Sequence, residues 1–428
     1  MIRKVKGTRD ILPPESRLWN AVERRAHEIL GGFGYSEIRL PLMEPTELFV
    51  RSVGEGTDIV SKEMYTFPDR KGRSLTLRPE GTASVARAYI ENGLGQRPQP
   101  LRLSYFGPMF RYEKMQRGRY RQFSQIGIEI LGTAAPAADV EVITALHTFL
   151  AALGFDDLVI VLNNLGDPED RERFIEVLKS ELTPHKEELC GDCQRRWTEN
   201  PLRILDCKVP RCGELVAETT PVAEVVSDDA KAHVDEVEQA LAELEIPVKR
   251  APRLVRGLDY YLRTVFEVIS PELGENTVIC GGGRYDRLIS DLGGKAVPGV
   301  GFAIGEDRLI EVLPEIYKER VFDQRLATVL PIGNETMGPA ARIARDLVLA
   351  GVAVHTEVTG RSLKACLKWS GKMAASVAVI LGEQELAEGV AVVRDLNRGE
   401  QETVKLDKVV ATVIEVLAKT KDSETERT

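Results

Sequence analysis

Apolar and polar residues alternate along 122–131, where Ile126, Ile128 and Ile130 fall between Gln125, Gly127 and Glu129. A period of two predicts a strand with one apolar and one polar face. A second strand is predicted over 101–112, joined to the first by an arginine-rich loop. Upstream, Leu18, Trp19, Val22, Ala26, Ile29 and Leu30 recur at helical spacing, so 16–32 reads as a helix capped by Ser16 and stopped by Gly31-Gly32. The segment Ser36–Pro41 reads as extended, and its proline sets it at an edge or an interface. Residues 64–78 read as a hairpin turning over Asp69–Arg73, after which Pro79-Glu80-Gly81-Thr82 opens a helix through Tyr89. Successive hairpins separated by only two helices predict an antiparallel sheet with helices on one face.

The pattern changes near residue 167 and stays helical and acidic to about 248. Strand-like segments then return at Leu254–Tyr261, Thr264–Ile269, Thr277–Cys280 and Gly299–Gly305. The stretch 167–248 therefore reads as an insertion into one larger domain, 1–320. Over 325–420, strands at 327–332, 352–354, 376–381 and 390–393 alternate with helices at 337–350 and 361–373. That alternation predicts a separate three-layer α/β domain. The polar tail from Lys419 onward reads as frayed.

Composition narrows the class. A chain of 428 residues, 43% hydrophobic and 29% charged, fits a globular protein of two or three domains. No run of eighteen apolar residues offers a membrane span, and the opening Met-Ile-Arg-Lys-Val-Lys-Gly lacks the apolar core of a secretory signal. Six cysteines then read as reduced thiols of a cytoplasmic protein rather than a disulfide scaffold. The net charge of −9 makes one feature stand out: Arg111, Lys114, Arg117, Arg119 and Arg121 crowd eleven positions against the single acid Glu113. A basic cluster on an acidic chain points to a specific anion. None of the five histidines lies in 100–135 or 250–310, so histidine general-base catalysis is not expected there. An enzyme built this way positions charged substrates and stabilises a charged transition state.

Four segments carry candidate chemistry. In Arg78-Pro-Glu-Gly-Thr82, Glu80 could hold an ammonium and Thr82 could cap the helix or touch a ligand; a capped helix start is the plainer account. In Arg256-Gly-Leu-Asp-Tyr-Tyr261, the guanidinium could grip a carboxylate or phosphate bidentately and a tyrosine hydroxyl could read a polar ring, against a surface ion pair at a strand end. The glycines of Cys280-Gly-Gly-Gly-Arg-Tyr-Asp286 would let backbone approach a ligand, or simply make a tight turn. Residues 298–308 form a glycine-punctuated strand running into a helix, from which Arg308 could reach a phosphate. The glycines at 299, 301 and 305 lack the spacing of a dinucleotide fingerprint, and no Walker-type loop is present.

Together, 105–129, 256–261, 280–286 and 298–308 resemble motifs 2 and 3 and the two histidine-specific signatures of the histidyl-tRNA synthetase family, class II aminoacyl-tRNA synthetases. Pro41 falls in a segment resembling motif 1, and Lys6-Gly-Thr-Arg-Asp-Ile-Leu-Pro13 is similar to the family's opening. The resemblance covers nearly the whole chain. It implies an α+β fold: a six-stranded antiparallel class II catalytic sheet with a helical insertion, followed by a C-terminal α/β anticodon-binding domain. It implies ATP-dependent activation of L-histidine and its transfer to tRNA(His), by a cytoplasmic homodimer with Mg2+ on the β- and γ-phosphates. Arg111 and Arg308 would grip ATP, and Arg256 would contact the α-phosphate and the histidine carboxylate. Glu80, Thr82, Gln125, Glu129, Tyr260 and Tyr261 would form the histidine pocket. Arg117, Arg119 and Arg121 would touch the tRNA acceptor end. One departure is Ser124, where the family commonly has histidine; on the alternating pattern it faces away from Gln125 and Glu129.

Two further clusters stand outside that pocket. Lys364, Lys368 and Lys372 follow Arg361 at i, i+4 steps with no acid between, a solvated helix face that the resemblance turns toward the tRNA anticodon. Phosphate-bound lysines would give affinity and a salt slope rather than base identity. Cys190, Cys193, Cys207 and Cys212 form a two-plus-two cluster suited to structural zinc, or else free thiols of the insertion; the second pair is wider than a usual zinc knuckle. A rival function is a silent synthetase paralogue that regulates ATP phosphoribosyltransferase. Such paralogues typically lose the anticodon-binding domain and degrade the Arg256–Tyr261 signature, and this chain keeps both. A plain RNA-binding protein would not need Glu80, Gln125, Glu129 and Arg256 together.

Overall fold

The computed structural model describes residues 2–54, 56–156, 158–269, 278–322 and 325–425, with side chains to 419. The chain divides into two compact units, Met1–Lys318 and Glu319–Thr428. Its strands, in chain order, are β1 (Ser36–Glu37), β2 (Met43–Pro45), β3 (Tyr65–Pro68), β4 (Ser74–Leu77), β5 (Leu101–Phe110), β6 (Gln122–Leu131), β7 (Val159–Asn164) and β8 (Val248–Arg250). There follow β9 (Leu262–Ile269), β10 (Val278–Arg284), β11 (Gly299–Gly305), β12 (Leu326–Ile332), β13 (Ala353–Thr356), β14 (Val377–Gly382), β15 (Val390–Asp395) and β16 (Gln401–Lys405).

The first unit is built on an eight-stranded sheet of order β1-β5-β6-β11-β10-β9-β7-β8. The six strands from β5 to β7 are antiparallel throughout, as expected, and a short parallel strand is added at each edge. The two faces of this sheet differ in kind. Ile126, Ile128 and Ile130 on β6 share one face with Val300, Phe302 and Ile304 on β11 and with Phe266 and Val268 on β9. All are buried, and the helix Pro136–Ala152 packs against β6 and β11. Arg284 ends β10 fully buried, paired with Asp139 of that helix, and so has a structural place rather than a ligand-facing one. Gln125, Gly127 and Glu129 face the opposite way beside Gly301, Ala303 and Gly305. The polar face anticipated for β6 is therefore present, but Gln125 and Glu129 are buried on it rather than solvated.

Several expectations are corrected. Residues 254–261 are not a strand; they form turns before β9. The glycine run 281–283 is not a tight turn but the interior of β10, and of the strand expected at 277–280 residue Thr277 lies outside the described residues. The first helix, Glu15–Gly32, has Pro14 rather than Ser16 at its N-cap position. Strands β2, β7, β8 and β16 went unread.

The segment 167–248 is helical, with its own core of Phe174, Leu178, Leu182, Cys193, Ile204, Cys212 and Leu215. The second unit carries a sheet of order β13-β12-β14-β15-β16. The helices Met337–Leu349 and Val409–Thr425 pack on one face through Ile343, Leu347, Val409 and Val413. Helix Leu363–Lys372 covers the other through Cys366 and Trp369, completing three layers. The last helix runs through most of the tail expected to fray; residues 426–428 lie outside the described residues.

Candidate active site

The polar face of the central sheet is a floor of small residues. Gly107 on β5, Gly127 on β6, Gly301, Ala303 and Gly305 on β11, and Gly281 and Gly283 on β10 share it. Their smallness is used by larger neighbours. A Cβ on Gly127 or Gly81 would overlap the Tyr105 ring, one on Gly301 the Glu129 carboxylate, and one on Gly281 the Arg256 guanidinium. Glycine inside a strand commonly marks such close approach.

Glu129 stands at the centre of one end. Its carboxylate accepts from Thr82 Oγ1 at 2.7 Å, from Tyr105 Oη at 3.4 Å and from Tyr285 Oη. Among the described residues no lysine or arginine pairs with it. Burial pushes the Glu129 carboxyl up to about 8, against the pull of those hydroxyl donors. Glu80 lies on the far side of Thr82, accepting the N–H groups of Thr82 at 2.7 Å and Ala83 at 2.8 Å. Glu80, not Thr82, thus caps the helix Thr82–Glu91, and burial raises its proton affinity despite those two N–H groups. Tyr260 Oη donates to Glu80 Oε2 at 3.5 Å, and the Tyr260 ring stacks at a tilt on Tyr261 with centroids 4.7 Å apart. Gln125 is buried, and its Oε1 has no hydrogen-bond partner among the described residues.

The other end is cationic. Arg256 pairs with Glu267 and lies 5.6 Å from the centroid of Tyr261. Burial opposes its charge, but Glu267, together with smaller contributions from Tyr261, Cys280 and Tyr260, more than offsets this and holds the guanidinium above the ordinary arginine value. Arg111 donates to the Pro79 carbonyl at 2.8 Å, just before Glu80, and faces Glu113 at 3.6 Å. Arg308, opening the helix Glu306–Glu311, donates to the Val278 carbonyl. Burial lowers Arg308 to about 10, with repulsion from Arg119 and Arg111 adding to the effect. The guanidinium groups of Arg111 and Arg308 repel each other, with Arg119 adding to the effect on Arg308, an arrangement that an added polyanion would relieve.

The basic loop 111–121 is less uniform than its sequence. Arg117 and Arg119 are exposed, pairing with Glu311 at 2.9 Å and Glu113 at 3.4 Å. Arg121 is half-buried, 3.6 Å over the Tyr112 ring. Ser124 pairs with Pro108 on the face away from Gln125, and its N–H donates to Asp307 at 3.0 Å. In the other unit Lys364, Lys368 and Lys372 are exposed and make no ion pair among the described residues, whereas Arg361 faces Glu357 at 3.6 Å. The structure therefore gathers Glu80, Thr82, Gln125, Glu129, Tyr260, Tyr261, Arg256, Arg111 and Arg308 on one sheet face. Tyr105, Tyr285, Glu113 and Glu267 belong to the same cluster and were given no role from the sequence; for the two tyrosines, the glycines at 81, 127 and 299 were the readable signal.

Against known proteins, the profile described as histidyl-tRNA synthetase matches residues 7–309, and an anticodon-binding-domain profile matches 327–416. The chain belongs to the histidyl-tRNA synthetase family. A histidine–tRNA ligase of Desulfatibacillum aliphaticivorans is 46% identical over 407 residues, covering 95% of this chain and 97% of that one. That of Desulforudis audaxviator is 46% identical over 410 residues, covering 96% and 98%. Among solved structures, apo histidyl-tRNA synthetase of S. aureus superposes with a TM-score of 0.80 at 34% identity, covering 96% of this chain and 99% of that chain. A Bacillus halodurans protein described as an ATP phosphoribosyltransferase regulatory subunit/histidyl-tRNA synthetase matches at 24% identity and a TM-score of 0.65, a likeness of fold alone. As in other histidyl-tRNA synthetases the fold is of the class II type, with the anticodon-binding domain following the catalytic sheet. Among the described residues no helix is long and apolar enough to cross a membrane.

Proposed function

We propose that this chain is a histidine–tRNA ligase. The histidine carboxylate attacks the α-phosphorus of ATP, giving histidyl-adenylate and pyrophosphate; a hydroxyl of the terminal adenosine of tRNA(His) then takes the histidyl group and releases AMP. The observation that carries this reading is a buried carboxyl group, Glu129, ringed by hydroxyls and paired with no lysine or arginine among the described residues, on the same small-residue floor as Arg111, Arg256 and Arg308. One end suits a small amine, whose positive charge would draw the proton from Glu129 on binding, and the other a polyphosphate. In this reading Glu80, Thr82, Gln125, Glu129, Tyr260 and Tyr261 hold histidine, and Arg111 and Arg308 hold ATP with Mg2+ on its β- and γ-phosphates. Arg256 neutralises the carboxylate and α-phosphate as they meet, which is electrostatic stabilisation without a protein nucleophile. Arg117, Arg119 and Arg121 meet the acceptor end of the tRNA, and Arg361, Lys364 and Lys368 meet its anticodon arm. A catalytic domain over 1–320 with an insertion at 167–248, an anticodon-binding domain over 325–420, a homodimer, a cytoplasmic setting and a structural zinc on Cys190, Cys193, Cys207 and Cys212 complete it.

The regulatory alternative finds no support: curated relatives aligned over 94–96% of the chain are histidine–tRNA ligases, and the C-terminal unit is retained. Pyrophosphate–ATP exchange with each standard amino acid, without tRNA, tests the proposal. Exchange with histidine alone is expected. No exchange in a folded protein that still binds histidine would reverse it in favour of the regulatory role.

A further inference from the structure

The insertion brings four thiols together from three successive pieces of chain. Cys190 precedes the helix Gly191–Glu199, which carries Cys193; Cys207 follows the short helix Pro201–Ile204; Cys212 lies in the helix Pro210–Ala217. All four Sγ atoms lie within 4.8 Å of one another, and those of Cys190 and Cys207 are 3.8 Å apart. Zn–S bonds of about 2.3 Å in a tetrahedron require S···S edges of about 3.8 Å. The Cys190 N–H donates to Cys212 Sγ at 3.2 Å, a contact that steadies a thiolate. The donor set fits zinc.

What this cluster encloses is the helical turn 194–206, made of the end of the helix Gly191–Glu199 and the short helix Pro201–Ile204, and that turn touches the loop bearing Arg256. Asn200 Nδ2 donates to Asp259 Oδ1 at 2.7 Å. Arg203 passes so close to Gly257 that a Cβ there would sit 3.1 Å from its Nη1. Arg196 ties the turn to itself through the Arg203 carbonyl at 3.2 Å, and both arginines face Asp58. Asp259 is gripped from other sides too, its carbonyl by Arg171 at 2.8 Å, while its carboxylate lies where a Cβ on Gly54 would be. A small cavity is lined jointly by Asn200 and Arg203 of the insertion and by Arg256, Asp259 and Tyr261 of the loop. Among the described residues the loop has no strand pairing of its own; Leu254, Leu258, Tyr260 and Tyr261 pack it inward, the Asp259 N–H donates to the Val53 carbonyl at 3.2 Å, and the contacts with Asn200 and Arg203 are those that come from the insertion.

We infer that zinc on Cys190, Cys193, Cys207 and Cys212 is a positioning device for the active site: it fixes the turn carrying Asn200 and Arg203, and through Asp259 that turn holds the loop presenting Arg256. The inference rests on the ligase reading only for what Arg256 does, not for the metal or the loop. Asn200 and Arg203 are positioning residues, since they act through Asp259 and Gly257 rather than on substrate. A structural metal site and the fold around it form together, so losing the ion loosens what it organises.

The full-length protein gives the test. Metal content by mass spectrometry is expected at about one zinc per chain, and cobalt substitution should give the absorption bands of a tetrahedral thiolate site. Stripping the zinc should speed hydrogen exchange across 254–261 while leaving the buried strands β6 and β11 protected. It should also slow histidine-dependent pyrophosphate exchange tenfold or more. Asn200→Ala keeps all four cysteines; it should retain the zinc, loosen 254–261 in the same way and slow exchange likewise. Cys207→Ser should lose the metal. Absence of bound zinc with no cobalt thiolate spectrum would overturn the site. Bound zinc whose removal leaves 254–261 as protected as before would overturn the coupling. Failure of the ligase reading is separately visible: no pyrophosphate exchange in the untreated protein, with the zinc and loop responses intact, which would still support the metal-to-loop link.

Discussion

The Thr82 hydroxyl donates to Glu129 Oε1 at 2.7 Å, and so joins the helix start that Glu80 caps to the carboxylate at the centre of the pocket. Thr82→Val keeps the shape and the backbone N–H but removes this donor. Once bound cationic histidine draws the proton from Glu129, loss of a hydrogen bond to that carboxylate costs about 1.5–3 kcal/mol. The expected outcome is a KM for histidine raised about tenfold or more, with the KM for ATP little changed. An unchanged KM for histidine in steady-state exchange assays would remove Thr82 from the pocket.

Gly281 lies under the Arg256 guanidinium, and a Cβ there would overlap the end of that flexible side chain rather than backbone. Gly281→Ala is therefore expected to fold while displacing Arg256. Misplacing one electrostatic stabiliser costs roughly 100- to 1000-fold in rate. Pyrophosphate exchange should fall by that order, with histidine binding retained and the circular dichroism spectrum unchanged. Near-normal exchange would show that Arg256 is not needed where the structure holds it.

The Glu129 carboxyl titrates at about 8 in the folded chain because it is buried, against about 4.3 for an unfolded glutamate. Between those values the folded state keeps a proton that the unfolded state has lost. Stability from this group is full below the unfolded value and is lost as pH rises toward the folded one, by up to about 1.4 kcal/mol per pH unit. Glu129→Gln lacks the titration. Its stability relative to the parent should climb with pH through that window and level off above about 8. Parallel thermal unfolding of both proteins across the range reads this directly; a difference independent of pH would contradict the buried, cation-free setting.

Much of this was legible in the sequence, for reasons visible at particular residues. The alternation at 122–131 is carried by isoleucines buried against a helix, so it survives as pattern, and β11 runs from Gly299 to Gly305 as read. Leu254–Tyr261 was misread as strand because its apolar residues pack inward from a loop, which is held in part by the distant insertion through Asn200. Strand β7 ends just before the insertion and β8 begins at its last residue, so their pairing across it could not be inferred from neighbouring sequence. Thr82 was open between cap and ligand, with Glu80 read as an ammonium holder; in the structure Glu80 makes the capping contacts and the Thr82 hydroxyl turns to Glu129. Tyr105 and Tyr285 carried no local signal, only the glycines at 81, 127 and 299 that make room for their rings.

Lys364, Lys368 and Lys372 stand exposed on the outer side of helix Leu363–Lys372, whose inner side buries Cys366 and Ser370. No ion pair among the described residues neutralises them, whereas Arg361 beside them is partly engaged by Glu357. A solvated stripe and a phosphate-binding stripe look alike in the free protein, but salt separates them. Each lysine that meets a tRNA phosphate releases a counterion and adds roughly one unit or slightly less to the slope of log affinity against log salt. Lys364→Ala combined with Lys368→Ala should therefore weaken tRNA binding and flatten that slope by about 1–2. Histidine-dependent pyrophosphate exchange without tRNA should be unchanged, because the substitutions lie in the second unit. An unaltered salt slope would return the stripe to an ordinary solvated helix face.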